Sequence, residues 1–416
     1  MKNVLMIAFH YPPVQGSSGV QRSLKFSHYL ADHDWTVQVL SAHPRAYRQT
    51  SNDQMPEIPK EVNVKRAFAA DTGRHLSIKG RYPQFLSLPD RWVSWLLGAV
   101  PSGLAMIRKK RPTVLWSTYP IATAHLIGLA LHRLTGIPWV ADFRDSMTEE
   151  HYPKDKRTRN VFRWIERRTV KYATKVVFTT QGTREMYAQR YPELPASRWV
   201  CIENGYDEEN FRAAIERIAQ SSKSPKRDRV RLVHSGILYR LDRDPEPFFI
   251  AIKNLLELGK LTSGDLEVVL RASGHDDEYR ALIKTHGLEA IVTLEQRIPY
   301  ADALAEMMEA DGLLIFQGSG CNHQIPAKVY ECMRSGRPIL ALTDPIGDTA
   351  RVLTDSGIDT MASLDDTPAI QVALLDFLNK VRGGSAPLPN QEYVEGFSRR
   401  SKAAELSAIL DEVSSS

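Results

Sequence analysis

Lys328 and Glu331 stand three residues apart inside Pro326–Arg337, which reads PAKVYECMRSGR. A proline at a first helical position and a glycine just past a last one predict a helix here. A helix start gathers unpaired N–H groups and a positive dipole end, so a lysine there suits phosphate. A carboxylate one turn on can accept hydrogen bonds from sugar hydroxyls. Together they suggest a nucleotide-sugar site. Taken alone, the same pair reads as an exposed Lys/Glu couple stabilising a surface helix, so neighbouring loops must decide.

Four loops follow predicted strands. His10–Gly19, HYPPVQGSSG, precedes a helix beginning near Val20; Gly16 and Gly19 allow close backbone approach to an anion or a sugar oxygen, but GxGxxG spacing is absent. Asp142-Phe143-Arg144-Asp145 puts two carboxylates around an arginine, a set that can orient an acceptor hydroxyl and supply its general base, or else close the loop as a salt bridge. His234-Ser235-Gly236 leads into Tyr239–Asp244, where Arg240 and Arg243 make a diphosphate clamp through paired N–H donors. The cationic reading of that Asp-Arg-Asp segment is favoured over a metal-binding one. Gly318–Gln324 runs into the Lys328 helix and could wrap a transferred sugar. Cys321 there has no partnered base and reads as an ordinary thiol.

The elements that must hold these loops are short apolar runs alternating with amphipathic stretches, the pattern of parallel strands covered by helices. Strands are expected at Val4–Phe9, Thr36–Ser41, Val62–Arg66, Val114–Ser117, Trp139–Asp142, Lys175–Thr179 and Trp199–Ile202. A second set is expected at Arg231–Ser235, Leu266–Ala272, Ile291–Leu294, Gly312–Gln317, Ile339–Thr343 and Asp359–Ala362. Each half reads as a doubly wound sheet, with QSSKSPKRDR (Gln220–Arg229) as linker. Two such sheets facing across a hinge would place ligands in a cleft at their strand ends.

Composition agrees with this class. The chain has 416 residues, too many for one ordinary core, and a formal charge of +5, too small to argue for nucleic acid. Basic residues from Lys154 to Lys175 alternate with acidic and apolar ones and read as a solvated helix face. Three separated cysteines fit a reducing compartment, and Val4–Phe9 is too short for a secretory core, so a cytoplasmic setting is expected. Trp92–Ile107, followed by Arg108-Lys109-Lys110-Arg111, reads as a buried or packing helix in preference to an interfacial segment on anionic lipid. No zinc-type His/Cys spacing occurs.

In this order the motifs resemble family 4 glycosyltransferases, retaining nucleotide-sugar enzymes of the GT-B fold. The likeness rests on VLMIAFHYPPVQGSSG, VVFTTQGTREMYAQRYP, ENGYDEENF, SGILYRLDRDPEPF and IPAKVYECMRSGRPILAL. It implies an α/β chain of two Rossmann-like, doubly wound domains: an acceptor-side domain over 1–215, a nucleotide-sugar-binding domain over 229–390, and a helix over 391–416 packing back on the first.

The resemblance makes Glu331 the second of a glutamate pair, on the nucleotide ribose. It puts Arg243 and Lys328 at the donor diphosphate, Gly16 on the glycine-rich loop beneath it, and Arg271–Gly274 with Arg297, Ile298 and Pro299 near the base. Gly236 opens the diphosphate site; His323 and Ile325 bind the donor. His10, Arg144, Asp142 and Asp145 lie on the acceptor side. Three positions depart from the pattern. His323 stands at the first glutamate, Arg144 at the histidine of a His-Asp pair, and Ile237 at the usual arginine after Gly236, leaving Arg240 or Arg243 to supply that charge.

The expected activity is sugar transfer to a hydroxyl of a glycan or lipid-linked acceptor, in surface polysaccharide synthesis. It would use no cofactor or metal and involve no nucleic acid, with peripheral contact to anionic membrane. The alternatives are a sugar-nucleotide epimerase or hydrolase of similar fold and a catalytically silent binding subunit.

Overall fold

A computed structural model describes residues 2–15, 19–79, 81–150, 152–220 and 228–415. The chain divides into two compact units, residues 1–204 with 399–416, and residues 205–398.

The first unit is built on a parallel sheet of β1 (Lys2–Ile7), β2 (Trp35–Ala42), β3 (Asn63–Ala67), β4 (Val114–Thr118), β5 (Trp139–Arg144), β6 (Lys175–Phe178) and β7 (Trp199–Cys201), in the order β3-β2-β1-β4-β5-β6-β7. Val4 aligns with Val37 on one side and Val114 on the other. Central parallel strands are covered on both faces, which is why β1 is a continuous apolar run. Leu5 and Ile7 enter one core with Trp95, Trp139 and Phe178, whereas Val4 and Met6 enter the other with Trp116, Leu406 and Leu410. Leu406 and Leu410 belong to the helix Arg399–Ser415, whose apolar face completes that second core. The helix Trp95–Lys109 buries Trp95, Ala99, Gly103, Met106 and Ile107, so one face of the apolar stretch packs into the core, while Leu97 stays 74% exposed.

The second unit contains β8 (Val230–Ser235), β9 (Leu266–Arg271), β10 (Val292–Glu295), β11 (Gly312–Phe316), β12 (Ile339–Leu342) and β13 (Met361–Ala362), ordered β10-β9-β8-β11-β12-β13. Leu232 and Leu270 face one core, Val233 and Val269 the other.

Both sheets reverse strand order once, between β1 and β4 and between β8 and β11. Such a reversal opens a crevice beyond the carboxyl ends of the two strands. His10 and Tyr119 follow β1 and β4; Gly236 and Gly318 follow β8 and β11.

The division falls earlier than the linker composition implied. Tyr206 and Phe211 pack with Val329, Tyr330 and Phe397 of the second unit, so the helix Glu208–Gln220 belongs there and the break is at 204/205. The return to the first unit likewise begins at Arg399, not 391, because Val394 and Phe397 sit in the second unit's core. The two crossing points are neighbours: Tyr206 N–H donates to the Phe397 carbonyl at 3.2 Å, and a Cβ on Gly205 would collide with that same oxygen. Most of the expected linker, 221–227, lies outside the described residues.

Candidate functional site

In the second unit the helix covers Lys328–Arg334 and closes on Gly336 at φ 68°. It starts two residues later than the proline suggested, because Pro326 sits in a preceding turn where its carbonyl accepts from Val329 N–H at 2.9 Å. The lysine is not displayed on a surface helix. Its ammonium reaches back to the end of β8 and donates to the Ser235 carbonyl. Gly236, at φ 127°, is required there: a Cβ would overlap Lys328 Nζ. Burial first, and then the Arg243 guanidinium, pushes Lys328 down from 10.5 to about 8. His234 lies beneath. Its Nδ1–H donates to Leu314 O at 2.9 Å, and burial together with Lys328 holds the ring neutral, its pKa well below the usual histidine value. The structure therefore brings together Gly236, Arg243 and Lys328.

Glu331, one turn on, accepts from Tyr300 Oη at 2.6 Å. The loop bearing His323 is pinned from below: Gln317 Nε2 donates to the carbonyls of Cys321 at 2.7 Å and Gln324 at 2.8 Å. His323 is exposed, while Ile325 and Ile298 are half-buried.

Two arginines of the expected set are committed elsewhere. Arg240 pairs with Asp244 at 3.4 Å, Glu246 at 2.8 Å and Glu278 at 3.0 Å. Three carboxylates offset its charge, so of the two candidate clamp arginines Arg243 is the one near Lys328. Arg271 forms a fork with Glu306 at 2.5 and 2.8 Å and donates to Gln296 O at 2.6 Å. Its guanidinium braces the end of β9 against the helix Tyr300–Glu309.

In the first unit, Asp142 is fully buried. Arg22, itself almost wholly buried, grips it at 2.8 and 3.1 Å and also donates to the carbonyls of Ile202 and Glu203, each at 3.0 Å. Thr118 Oγ1 adds a bond at 3.3 Å. Both Asp142 oxygens are thus engaged beneath the sheet, which corrects the expectation that it faces an acceptor: it ties β5 to the helix Gly19–Tyr29 and to the end of β7.

A register shift between Asp142 and Arg144 separates these neighbours. The bulge re-aims the strand end. Arg144 adopts φ 60°, a left-handed conformation that residues with side chains seldom take. Its guanidinium is buried, with one donated bond of 3.4 Å to Tyr119 O. Burial, and then Arg144, pushes His10 down to about 3, so it is a neutral ring. Asp145 beside them is raised above the usual carboxylate range, chiefly by burial, against the opposing pull of Arg144. The structure brings His10, Arg144 and Asp145 together at the strand ends. Gly16 lies outside the described residues.

Sequence reasoning passed over Arg22, Tyr300 and Gln317. Arg22 is one of several cations on an otherwise ordinary amphipathic helix, 120 positions from its partner. Nothing local marks it. Among the described residues no group of three or more His, Cys, Asp or Glu side chains converges as a metal site.

With this geometry in place, comparison supplies the fold. A family model described as a glycosyl transferase 4-like domain matches residues 19–205, within the first unit. Sucrose-phosphate synthase from Thermosynechococcus elongatus superimposes with a TM-score of 0.70 at 13% identity, covering 99% of each chain. HepE of Anabaena, solved with UDP and glucose, gives 0.66 at 14% identity over 98% of this chain and 99% of its own. UDP-GlcNAc 2-epimerase from Neisseria meningitidis, bound to UDP-GlcNAc, gives 0.56 at 11% identity over 99% and 100%. These likenesses define the fold. The chain has the GT-B fold, two parallel-strand α/β units. Comparison with curated proteins finds no match.

Proposed function

We propose that this chain moves a sugar from a nucleoside-diphosphate donor to a hydroxyl of a glycan or lipid-linked acceptor, in the assembly of a surface polysaccharide. Lys328 carries the reading. An ammonium depressed to about 8 by burial and a second cation is under-compensated, and a diphosphate is the ligand that would compensate both. The UDP held by the HepE structure supports a donor of this kind.

On this reading the bond from the anomeric carbon to the β-phosphate oxygen breaks with its electron pair leaving on the nucleoside diphosphate. Lys328 and Arg243 stabilise the charge that builds there, without a divalent ion. Glu331, oriented by Tyr300, takes the ribose hydroxyls, and the loop with His323 and Ile325 borders the sugar. Asp145 orients the acceptor hydroxyl, with neutral His10 and Arg144 beside it, and the anomeric configuration is retained. Asp142 and Arg22 act as positioning residues.

The test is turnover of a nucleotide-sugar panel with and without hydroxyl acceptors, in the presence of a chelator. Lys328→Ala and Arg243→Ala should each lower transfer more than about a hundredfold, some 3 kcal/mol of transition-state stabilisation. Arg240→Gln should stay within about threefold, its exposed ion pairs being worth little. Wild-type rates in the Lys328 and Arg243 variants would overturn the assignment. Donor consumed at full rate with no acceptor would favour the epimerase or hydrolase reading instead.

A further inference from the structure

The helix Lys156–Tyr172 of the first unit segregates its charges by face. Phe162, Ile165, Thr169 and Val170 point inward, and so does Glu166. That carboxylate is fully engaged, accepting from Thr148 Oγ1 at 2.9 Å, Tyr187 Oη at 2.8 Å, Tyr191 Oη at 2.7 Å and Arg190 at 2.8 Å. The outward side carries Lys156, Arg157, Arg163, Arg167, Arg168 and Lys171, all exposed. At 3.6 residues per turn these six fall within an arc of about 140° along a helix roughly 25 Å long. None forms an ion pair among the described residues. The apparent mixture of acid, base and apolar residues in the sequence is thus resolved by folding into a cationic stripe; Asp155 caps the helix start beside Lys156 and Arg157, and Glu193 shares a depression with Arg167 and Lys171 at one edge.

Aromatic side chains accompany the stripe. Trp164 lies within the arc, 51% exposed, with the Arg168 guanidinium 5.7 Å from its ring. At the helix start Arg157 donates to Gln84 Oε1 at 3.2 Å, which brings up the neighbouring Phe85, 69% exposed. Unpaired cations interleaved with protruding aromatic rings match a surface with anionic headgroups above an apolar layer, where Trp sits at the boundary and Lys and Arg meet phosphate. No described helix is long and apolar enough to cross a membrane, so contact of this kind would be peripheral.

We infer that this face docks the protein onto an anionic lipid surface. The inference is separate from the transfer chemistry, and its test needs no turnover. The full chain is floated with vesicles of phosphatidylcholine alone or with about 30% phosphatidylglycerol, alongside a duplex and a single-stranded oligonucleotide as competing polyanions. Binding is expected on the anionic vesicles and not on the neutral ones, weakening with salt. Arg163→Gln/Arg167→Gln/Arg168→Gln should reduce partitioning about a hundredfold, since each cation near such a surface contributes about fivefold. The corresponding triple lysine variant should restore it, which separates charge from any change in folding. Trp164→Ala should weaken binding further at high salt, where headgroup attraction is screened. Equal partitioning of the wild type and the glutamine variant would overturn the inference, as would tight oligonucleotide binding with no vesicle binding.

Discussion

Lys328 offers the sharpest test, because its chemistry in the free protein and in a donor complex should differ by a proton. Free, it titrates at about 8 instead of 10.5, a difference of about 3 kcal/mol in the cost of carrying its charge. A bound diphosphate would restore the ammonium and move that pKa back up. UDP affinity should therefore hold steady below pH 8 and then fall by about tenfold per pH unit above it, up to roughly three-hundredfold. Calorimetry in two buffers of different ionisation enthalpy should find about 0.7 proton taken up per UDP bound near pH 8.5. Lys328→Arg keeps a charge that does not titrate and should flatten the profile. The same shift has a stability sign. Between pH 8 and 10.5 the unfolded chain binds this proton and the folded one does not, so wild-type stability rises with pH across that window relative to Lys328→Met. Below pH 8 the penalty is fully present, and the Met variant should be the more stable one in urea by up to about 3 kcal/mol, less about 1 kcal/mol for the lost bond to Ser235. Affinity independent of pH, with no proton exchanged, would refute a diphosphate contact at Lys328.

Arg22→Ala should destabilise the first unit by about 3–5 kcal/mol by leaving the buried Asp142 charge uncompensated, measurable as a drop in the urea midpoint. Asp145→Asn should slow transfer by at least about a hundredfold with UDP affinity unchanged. In the wild type, transfer should fail on acidification at a pH above the ordinary carboxylate range, because Asp145 is raised by burial and must be ionised to serve. Gly236→Ala, placing a Cβ against Lys328 Nζ at a φ of 127°, should abolish UDP binding in calorimetry while circular dichroism stays native.

The strands were legible in the chain because each central one is buried on both faces and so spells an unbroken apolar run such as VLMIA, bounded by turn residues. All thirteen expected strands are present, each end to within two residues. Gly336 as a helix stop was legible for the same kind of local reason. Lys328 and Arg243 were legible as candidates, since side-chain type and a position after a strand already speak of phosphate.

Which of two similar groups faces the ligand was decided by packing. Arg240 and Arg243 are three residues apart on one loop, and only the fold brings Glu278 and Glu246 against the first. Asp142 and Asp145 flank one arginine, and only the register shift in β5, with Arg22 arriving from 120 positions away, sinks the first and leaves the second at the strand end. The cationic stripe was hidden likewise, for Glu166 looks like a neutralising neighbour until the helix turns it inward to two tyrosines and Arg190. Local sequence fixes backbone preference and burial period, which operate over a few residues. Charge compensation acts through space, so it waited on the three-dimensional arrangement of partners far apart in the chain.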